Sequence, residues 1–432
     1  MFLEFIISVA LGFAILGEKI YFFFSETQFA KSFWGLIDIA GLIIIFLAGV
    51  ALYFKEKRKR TYSGVEVSTL FTKKNLPTLS ILLLVCVAIG FSFFLNLNKV
   101  TLHWDAVAIY DARAKFLEGG IRFSQMPSLS IYDNLNKYYY LLYPPYTSIA
   151  HYFWYKLLPG APVSVYYSIL LVLLGSVVFF FSRSELGSKM AALLTLLTVS
   201  NINIFNISIK EYSNLPYTLY LVAGIFLLFA YLKNEGMWRL LFGALLIAGS
   251  QWIRFLEPVW LGIFMAFALS LFTKRGLAKS TAISFAIFIL GSVQYLSWRY
   301  FTQEVARNPE IINLGAKNIF EPVVGMFTGA FFIVVFRILT SWGLPLLIPL
   351  TALCSSIFRG RDLLKRPQLL FLSLIIVFCL GIYFLPLYFV SFQSDWWQAV
   401  AKSLERSSTF LVPVSGYLIL RTVKEYAEKL NK

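Results

Sequence analysis

Between Thr101 and Gly120 the chain gathers the side-chain types that move protons and hold anions: Asp105, Asp111, Arg113 and Lys115, with His103 and Trp104 just ahead. Alanine-rich spacing and the closing Gly119-Gly120 pair predict a short amphipathic helix ended by a glycine cap. At about 100° per residue, Asp105 shares a face with Ala108, Ala112 and Phe116, while Asp111 and Lys115 stand four apart on another. A carboxylate so placed can act as a general base, or it can do no more than serve the amides and dipole of a helix N-terminus. Asp111 with Lys115 also reads as an ordinary i,i+4 ion pair. Lys137, which reads equally as a solvated charge, precedes the aromatic run Tyr138–Tyr146, turned by Pro144-Pro145, and a second interfacial segment ending at Leu158-Pro159-Gly160. Further polar groups recur at the ends of apolar stretches: Glu211, the pair Arg254 and Glu257, and Arg406. Arg254 and Glu257 also read as an interfacial pair at a helix end. His103 and His151 are the only histidines. They lie too far apart in sequence to carry a metal-ligand spacing, so no cofactor is expected and a divalent cation has no support from spacing.

The elements that must position these residues are membrane helices. Of the residues, 59% are hydrophobic and 14% charged, and mean hydropathy is +0.73; a soluble globule carries roughly a quarter charged residues. A helical span needs about 20 mostly apolar residues. Candidate spans fall near 2–16, 33–54, 78–97, 163–181, 189–209, 212–232, 240–255, 258–273, 279–298, 342–358, 368–390 and 408–420. The expected fold is therefore all-α, a polytopic transmembrane bundle of about twelve spans. It forms a single membrane domain over 1–432, with a long external loop, 98–162, containing short interfacial helices. The first segment lacks a basic n-region and a small-residue cleavage site, so a signal peptide is not expected. Cys86, Cys354 and Cys379 all fall inside spans, which leaves the long loop without a disulfide framework.

The net charge of +16 is distributed as a membrane protein distributes it. More than half of the 38 Lys and Arg residues sit in the short loops around 55–74, 183–189, 233–239, 274–279 and 359–366 and beyond Arg421. Clusters at alternate span ends follow the positive-inside rule. They imply contact with anionic lipid headgroups rather than nucleic acid, and place both termini in the cytoplasm. Treating 323–339 as a helix at the external interface keeps every basic cluster inside. Arg337 near its end fits, since a buried arginine is costly. With that topology the spans are nearly free of ionisable groups, and polar residues collect at the outer surface. A transporter more often places carboxylates or broken helices near the midplane, so an interfacial enzyme is favoured over a pore.

The Trp104-Asp105-Ala106-x-Ala108-Ile109-Tyr110-x-Ala112-x-Ala114-Lys115 pattern resembles the first external loop of GT-C membrane glycosyltransferases. The branch it is most similar to contains the protein O-mannosyltransferases and lipid A aminoarabinose transferases. Tyr143-Pro144-Pro145, Tyr212-Ser213-Asn214-Leu215-Pro216, Arg254-Phe255-Leu256-Glu257 and Ser403-Leu404-Glu405-Arg406 with Pro413 resemble further elements of that family, in the same order. Each motif is short; their order and shared external placement carry the likeness over most of the chain. Asn214 stands where an aspartate is common, and Glu211 nearby is the candidate to substitute. The resemblance implies an inverting transfer of a sugar from a polyprenyl-phosphate donor to a glycan, lipid or protein acceptor. That reaction would run at the outer face of a bacterial or archaeal cytoplasmic membrane. It implies Asp105 as the base and Arg113, Lys115, Lys137, Arg254 and Arg406 as candidates for the phosphate, arginine suiting it best through its two-pronged fork. Asp111, Tyr143 and Glu257 fall in the same motifs and, with the neighbouring Glu211, are substrate-binding candidates. The alternatives are a transporter or flippase of a lipid-linked saccharide, and a membrane scaffold.

Overall fold

The computed structural model describes residues 2–57, 76–99, 103, 106–126, 143–234, 236–255, 257–305, 320–342, 344–357, 361–392 and 397–430. Among them every regular element is helical. In chain order the main helices are α1 (Phe2–Ser25), α2 (Phe33–Lys57), α3 (Leu76–Leu97), α4 (Ala112–Glu118), α5 (Tyr146–Leu157), α6 (Ser164–Leu186), α7 (Ser188–Val199), α8 (Ile202–Ser208), α9 (Asn214–Asn234), α10 (Met237–Gly249), α11 (Val259–Lys274), α12 (Leu277–Tyr300), α13 (Ala330–Trp342), α14 (Leu344–Ile357), α15 (Pro367–Val390), α16 (Trp397–Ser407) and α17 (Leu411–Leu430).

Seven of these, α1, α2, α3, α6, α9, α12 and α15, are long and apolar enough to cross a membrane. The α7–α8 pair, bent by 62°, makes an eighth if it is one span. The bend has a local cause: the Asn201 side chain accepts from the amides of Asn203 and Ile204 at 3.1 and 3.3 Å, starting a new helix instead of continuing the old one. Twelve spans were expected. The four other expected segments are helices too, but α10, α11 and α14 have only 13, 16 and 14 residues, and α17 ends in a charged stretch. Thirteen helical residues reach roughly 20 Å, short of a hydrocarbon core of roughly 30 Å. The first helix also departs from expectation: it runs to Ser25 rather than stopping near residue 16, carrying Glu18 and Lys19 into the bundle.

At the centre stands α9, 94% buried along its apolar window, packed by α6, α10, α11, α15 and α16. It crosses α10 where two glycines face each other. A Cβ on Gly224 would stand 2.6 Å from Ile247 and 3.1 Å from the Gly243 carbonyl. Small residues at a crossing let membrane helices approach backbone to backbone.

Ion pairs gather the basic loop ends at one end of the bundle. Lys233 and Arg421 both pair with Glu185, Arg366 and Arg421 with Glu425, and Arg239 with Glu4 at 3.3 Å. The helix α6 carries Glu185 in its last turn and Tyr167 near its first, roughly 27 Å away. The helices α4 and α5 pack at that far end. There, α13 turns Val334, Ile338 and Trp342 inward against α15 and α16 and leaves Phe332, Ile333 and Phe336 exposed.

Candidate functional site

Four consecutive residues, Glu211 to Asn214, lead into the central helix, and each holds a different part of the far end. Glu211 is completely buried and adopts φ +52°, a left-handed conformation that costs a non-glycine residue free energy. The turn this creates sends its carboxylate to the Lys99 ammonium and to the His103 amide at 3.3 Å, while its carbonyl accepts from the Tyr167 hydroxyl at 2.9 Å. Lys99 also donates to the Ile209 carbonyl at 2.5 Å. Tyr212 offers its ring to the Arg406 guanidinium, 4.7 Å from the centroid, and lies beside His103. Ser213 accepts from Tyr110 at 2.8 Å. Asn214, its amide oxygen turned toward the donors, accepts from Arg254 Nη1 at 3.2 Å and from the Ser407 amide at 3.3 Å.

Arg254 and Glu257 form a two-pronged pair in the break between α10 and α11. Nη2 donates to Oε1 at 2.5 Å and Nε to Oε2 at 3.3 Å, with both residues buried. A pair between these two residues at a helix end is one of the readings of the sequence. Its third nitrogen reaches the Asn214 amide and so ties the break to α9.

Ahead of α4, Ala106–Asp111 is a π-helical turn that runs into it; such turns recur at functional sites. The predicted glycine cap is present, with Gly120 at φ +78°. Asp111 does not pair with Lys115. Its Oδ1 accepts from Tyr155 on the facing helix α5, and His151 Nδ1 stands 3.7 Å from the same oxygen, beyond hydrogen-bond distance. Burial pushes the Asp111 carboxyl up, but His151, Tyr155 and Lys115 together outweigh it and hold the group below the usual carboxylate range. Burial and Asp111 in turn push the Tyr155 phenol up, so it stays protonated and donates. Lys115 turns instead to Glu118 at 3.7 Å and to the face of Tyr155. The Tyr167 proton is committed to Glu211, so the 2.9 Å contact between Tyr167 and His151 Nε2 has the imidazole donating. Arg113 is buried, stacks on Phe123 and donates to the Tyr143 carbonyl at 2.8 Å.

Of the residues singled out from sequence, Asp111, Arg113, Lys115, Tyr143, Glu211, Arg254, Glu257 and Arg406 are thus brought to one end of the bundle. Asp105 and Lys137 lie outside the described residues. Sequence reasoning missed Lys99, Tyr155 and Tyr167. It also missed a buried cluster joining three long helices. There the Lys19 ammonium meets Asp38 at 2.7 and 2.9 Å, Gln294 and Ser297 donate to the same carboxylate at 2.5 and 2.7 Å, and Lys19 faces the Trp252 ring at 4.7 Å. Among the described residues no three His, Cys, Asp or Glu side chains converge as a metal requires. A cavity of about 620 Å³ lined by Arg366, Arg421 and Tyr417 opens at the opposite, basic end. Comparison with family models, with curated proteins and with solved structures gives no match to this chain.

Proposed function

We propose that this protein is a membrane glycosyltransferase of the GT-C type, moving a sugar with inversion from a polyprenyl-phosphate donor to an acceptor at the non-cytoplasmic face. One observation carries the reading. Motifs scattered from residue 106 to residue 406, chosen for their resemblance to one family, meet around Glu211–Asn214 at a single end of the bundle. A scaffold has no need for that convergence. The twelve-span topology belongs to the same proposal, with α10, α11, α14 and α17 completing the crossing beside longer neighbours and the basic end cytoplasmic.

The chemistry asks for a base at the acceptor hydroxyl and for cations at the departing phosphate. Asp105 is the proposed base: the chain reaches it from His103, whose amide is bonded to Glu211, and leaves it at the buried Ala106. Arg406, half-exposed over Tyr212, and Arg254, fixed by Glu257 and Asn214, are the proposed phosphate cations. Glu211 is already engaged by Lys99, which suits it to positioning rather than to proton transfer. The site's role is tested by turnover. Purified protein in nanodiscs with a mixture of polyprenyl-phosphate sugars should release free polyprenyl phosphate. A lipid moved across the bilayer but left intact would make the protein a flippase, and neither event would leave a scaffold.

A further inference from the structure

The helix α5 begins in an unusual way. Its N-cap is Pro145, preceded by Pro144, and neither has an amide proton or a side-chain oxygen with which to close the first turn. Among the described residues the amides of Tyr146, Thr147 and Ser148 donate to no protein group, and the first backbone bond of this helix is made by Ile149, to the Pro145 carbonyl. Thr147 and Ser148 are 1% and 0% exposed, and their buried hydroxyls have no hydrogen-bond partner either. Side chains in a first turn tilt back toward the N-terminus, so both hydroxyls lean toward the helix end that the three amides face. Native proteins pair nearly all such groups. Here three amides and two hydroxyls of buried residues share one turn at the positive end of a helix dipole.

A single water offers two lone pairs and cannot satisfy five donors. A tetrahedral oxyanion can, and helix N-termini are suited to it. The surroundings carry the matching charge. Arg113 reaches the Tyr143 carbonyl, three residues before the helix, and Arg254 lies within electrostatic reach of the Tyr143 phenol. The influence of Glu18 falls on the hydroxyls of Tyr146, Tyr166 and Tyr220, at the far end of the Tyr146 side chain from the amides. The helix α5 packs against α1, the π turn and α4.

We propose that the buried first turn of α5, through the amides of Tyr146, Thr147 and Ser148 and the hydroxyls of Thr147 and Ser148, is a phosphate-binding site. Its ligand is a phosphate monoester or inorganic phosphate; the assignment to the polyprenyl phosphate released from a lipid-linked donor, and only that, rests on the function proposed above.

The test uses the full chain in dodecyl maltoside, which brings no phosphate of its own. The probes are inorganic phosphate and a short-chain polyprenyl monophosphate, followed by calorimetry and by thermal shift. Wild type should bind at least one of them. Thr147→Val and Ser148→Ala should each weaken that binding about 10-fold, and together about 100-fold, because each removes one hydrogen bond to a charged ligand. Neither should lower the melting temperature without phosphate, since neither hydroxyl has a protein partner to lose. Inorganic phosphate displaced by the polyprenyl monophosphate makes the ligand the lipid carrier; phosphate that is not displaced makes it a free anion, and the site stands in both cases. No binding of either probe, or unchanged affinity in the double variant, overturns the proposal. A melting temperature lowered with phosphate affinity intact also overturns it, by showing that ordered water fills the turn. Phosphate binding without any sugar transfer supports the site and removes the glycosyltransferase reading.

Discussion

Lys99 donates to the carboxylate of Glu211 across the seam between the end of α3 and the turn that opens the central helix. The acid is fully buried and the lysine 18% exposed. Two features make this contact more than a surface pair. Glu211 is held at a positive φ that it would not choose alone, and its carbonyl and carboxylate each hold a different segment of the far end.

Glu211→Gln should therefore destabilise the protein by about 3 kcal/mol, the lower end of what breaking a buried pair costs, because Lys99 still reaches solvent. Lys99→Met removes the charge left behind. The double variant should accordingly lose less than the two single losses combined, by more than about 1 kcal/mol. Equilibrium unfolding in one detergent gives all four stabilities. Strict additivity would mean the two residues do not interact.

Asp111 should give stability a pH dependence of definite sign. Its folded carboxyl lies below the usual range despite burial, because His151, Tyr155 and Lys115 favour the anion. A depressed acid contributes stability above its unfolded value, about 4, and that contribution is lost as pH falls through the folded value. Asp111→Asn should thus be less stable than wild type at pH 7, by about 1.5–3 kcal/mol for a charged hydrogen bond. The gap should close only below about pH 4. A gap that is constant from pH 7 to pH 3 would show that Asp111 is not the anion held there.

The two bundle ends should face opposite compartments. Lys156 on α5 and Glu428 on α17 are 51% and 62% exposed, at opposite ends. In a chain with Cys86, Cys354 and Cys379 replaced by alanine, cysteine at Lys156 should react with an impermeant maleimide on intact cells. Cysteine at Glu428 should react only after lysis. The reverse pattern would invert the topology and move the proposed site into the cytoplasm.

Which parts of this architecture were legible beforehand follows from where the information lies. Lipid demands long apolar runs, and α2, α3, α6, α9, α12 and α15 are written in them. Glu18 and Lys19 read locally as the end of a span, because a charge in lipid is costly. Only Asp38, Gln294 and Ser297, from two other helices, allow α1 to carry that lysine inward. Tyr155 and Tyr167 are two of 24 tyrosines and carry no mark that separates a hydrogen-bonding partner from a headgroup anchor. Lys99 looks like any snorkelling lysine at a span end. Arg254 with Glu257, three apart at a helix end, was legible because the partners are local. The Asp111–Lys115 pair was not formed, since two side chains from α5 compete for the carboxylate.

Asp105 separates the catalytic reading from the merely structural one. Asn caps a helix about as well as Asp and matches its size and hydrogen-bond acceptor, but an amide cannot take up the acceptor's proton. If Asp105 only caps, Asp105→Asn should cost at most a few tenths of a kcal/mol and leave transfer intact. If it is the base, turnover should fall by about 10²–10⁴-fold with donor binding preserved, because the proposed phosphate contacts come from other residues. Asp111→Asn is the internal control, since its carboxylate is already taken by Tyr155 and His151 and its loss should lower stability more than rate. Transfer rate and donor affinity are measured for both variants in the same nanodisc, below their melting temperatures. Turnover near wild type in Asp105→Asn would remove the proposed base, and a larger loss of rate at Asp111 would move that role to the Asp111–His151–Tyr155 cluster.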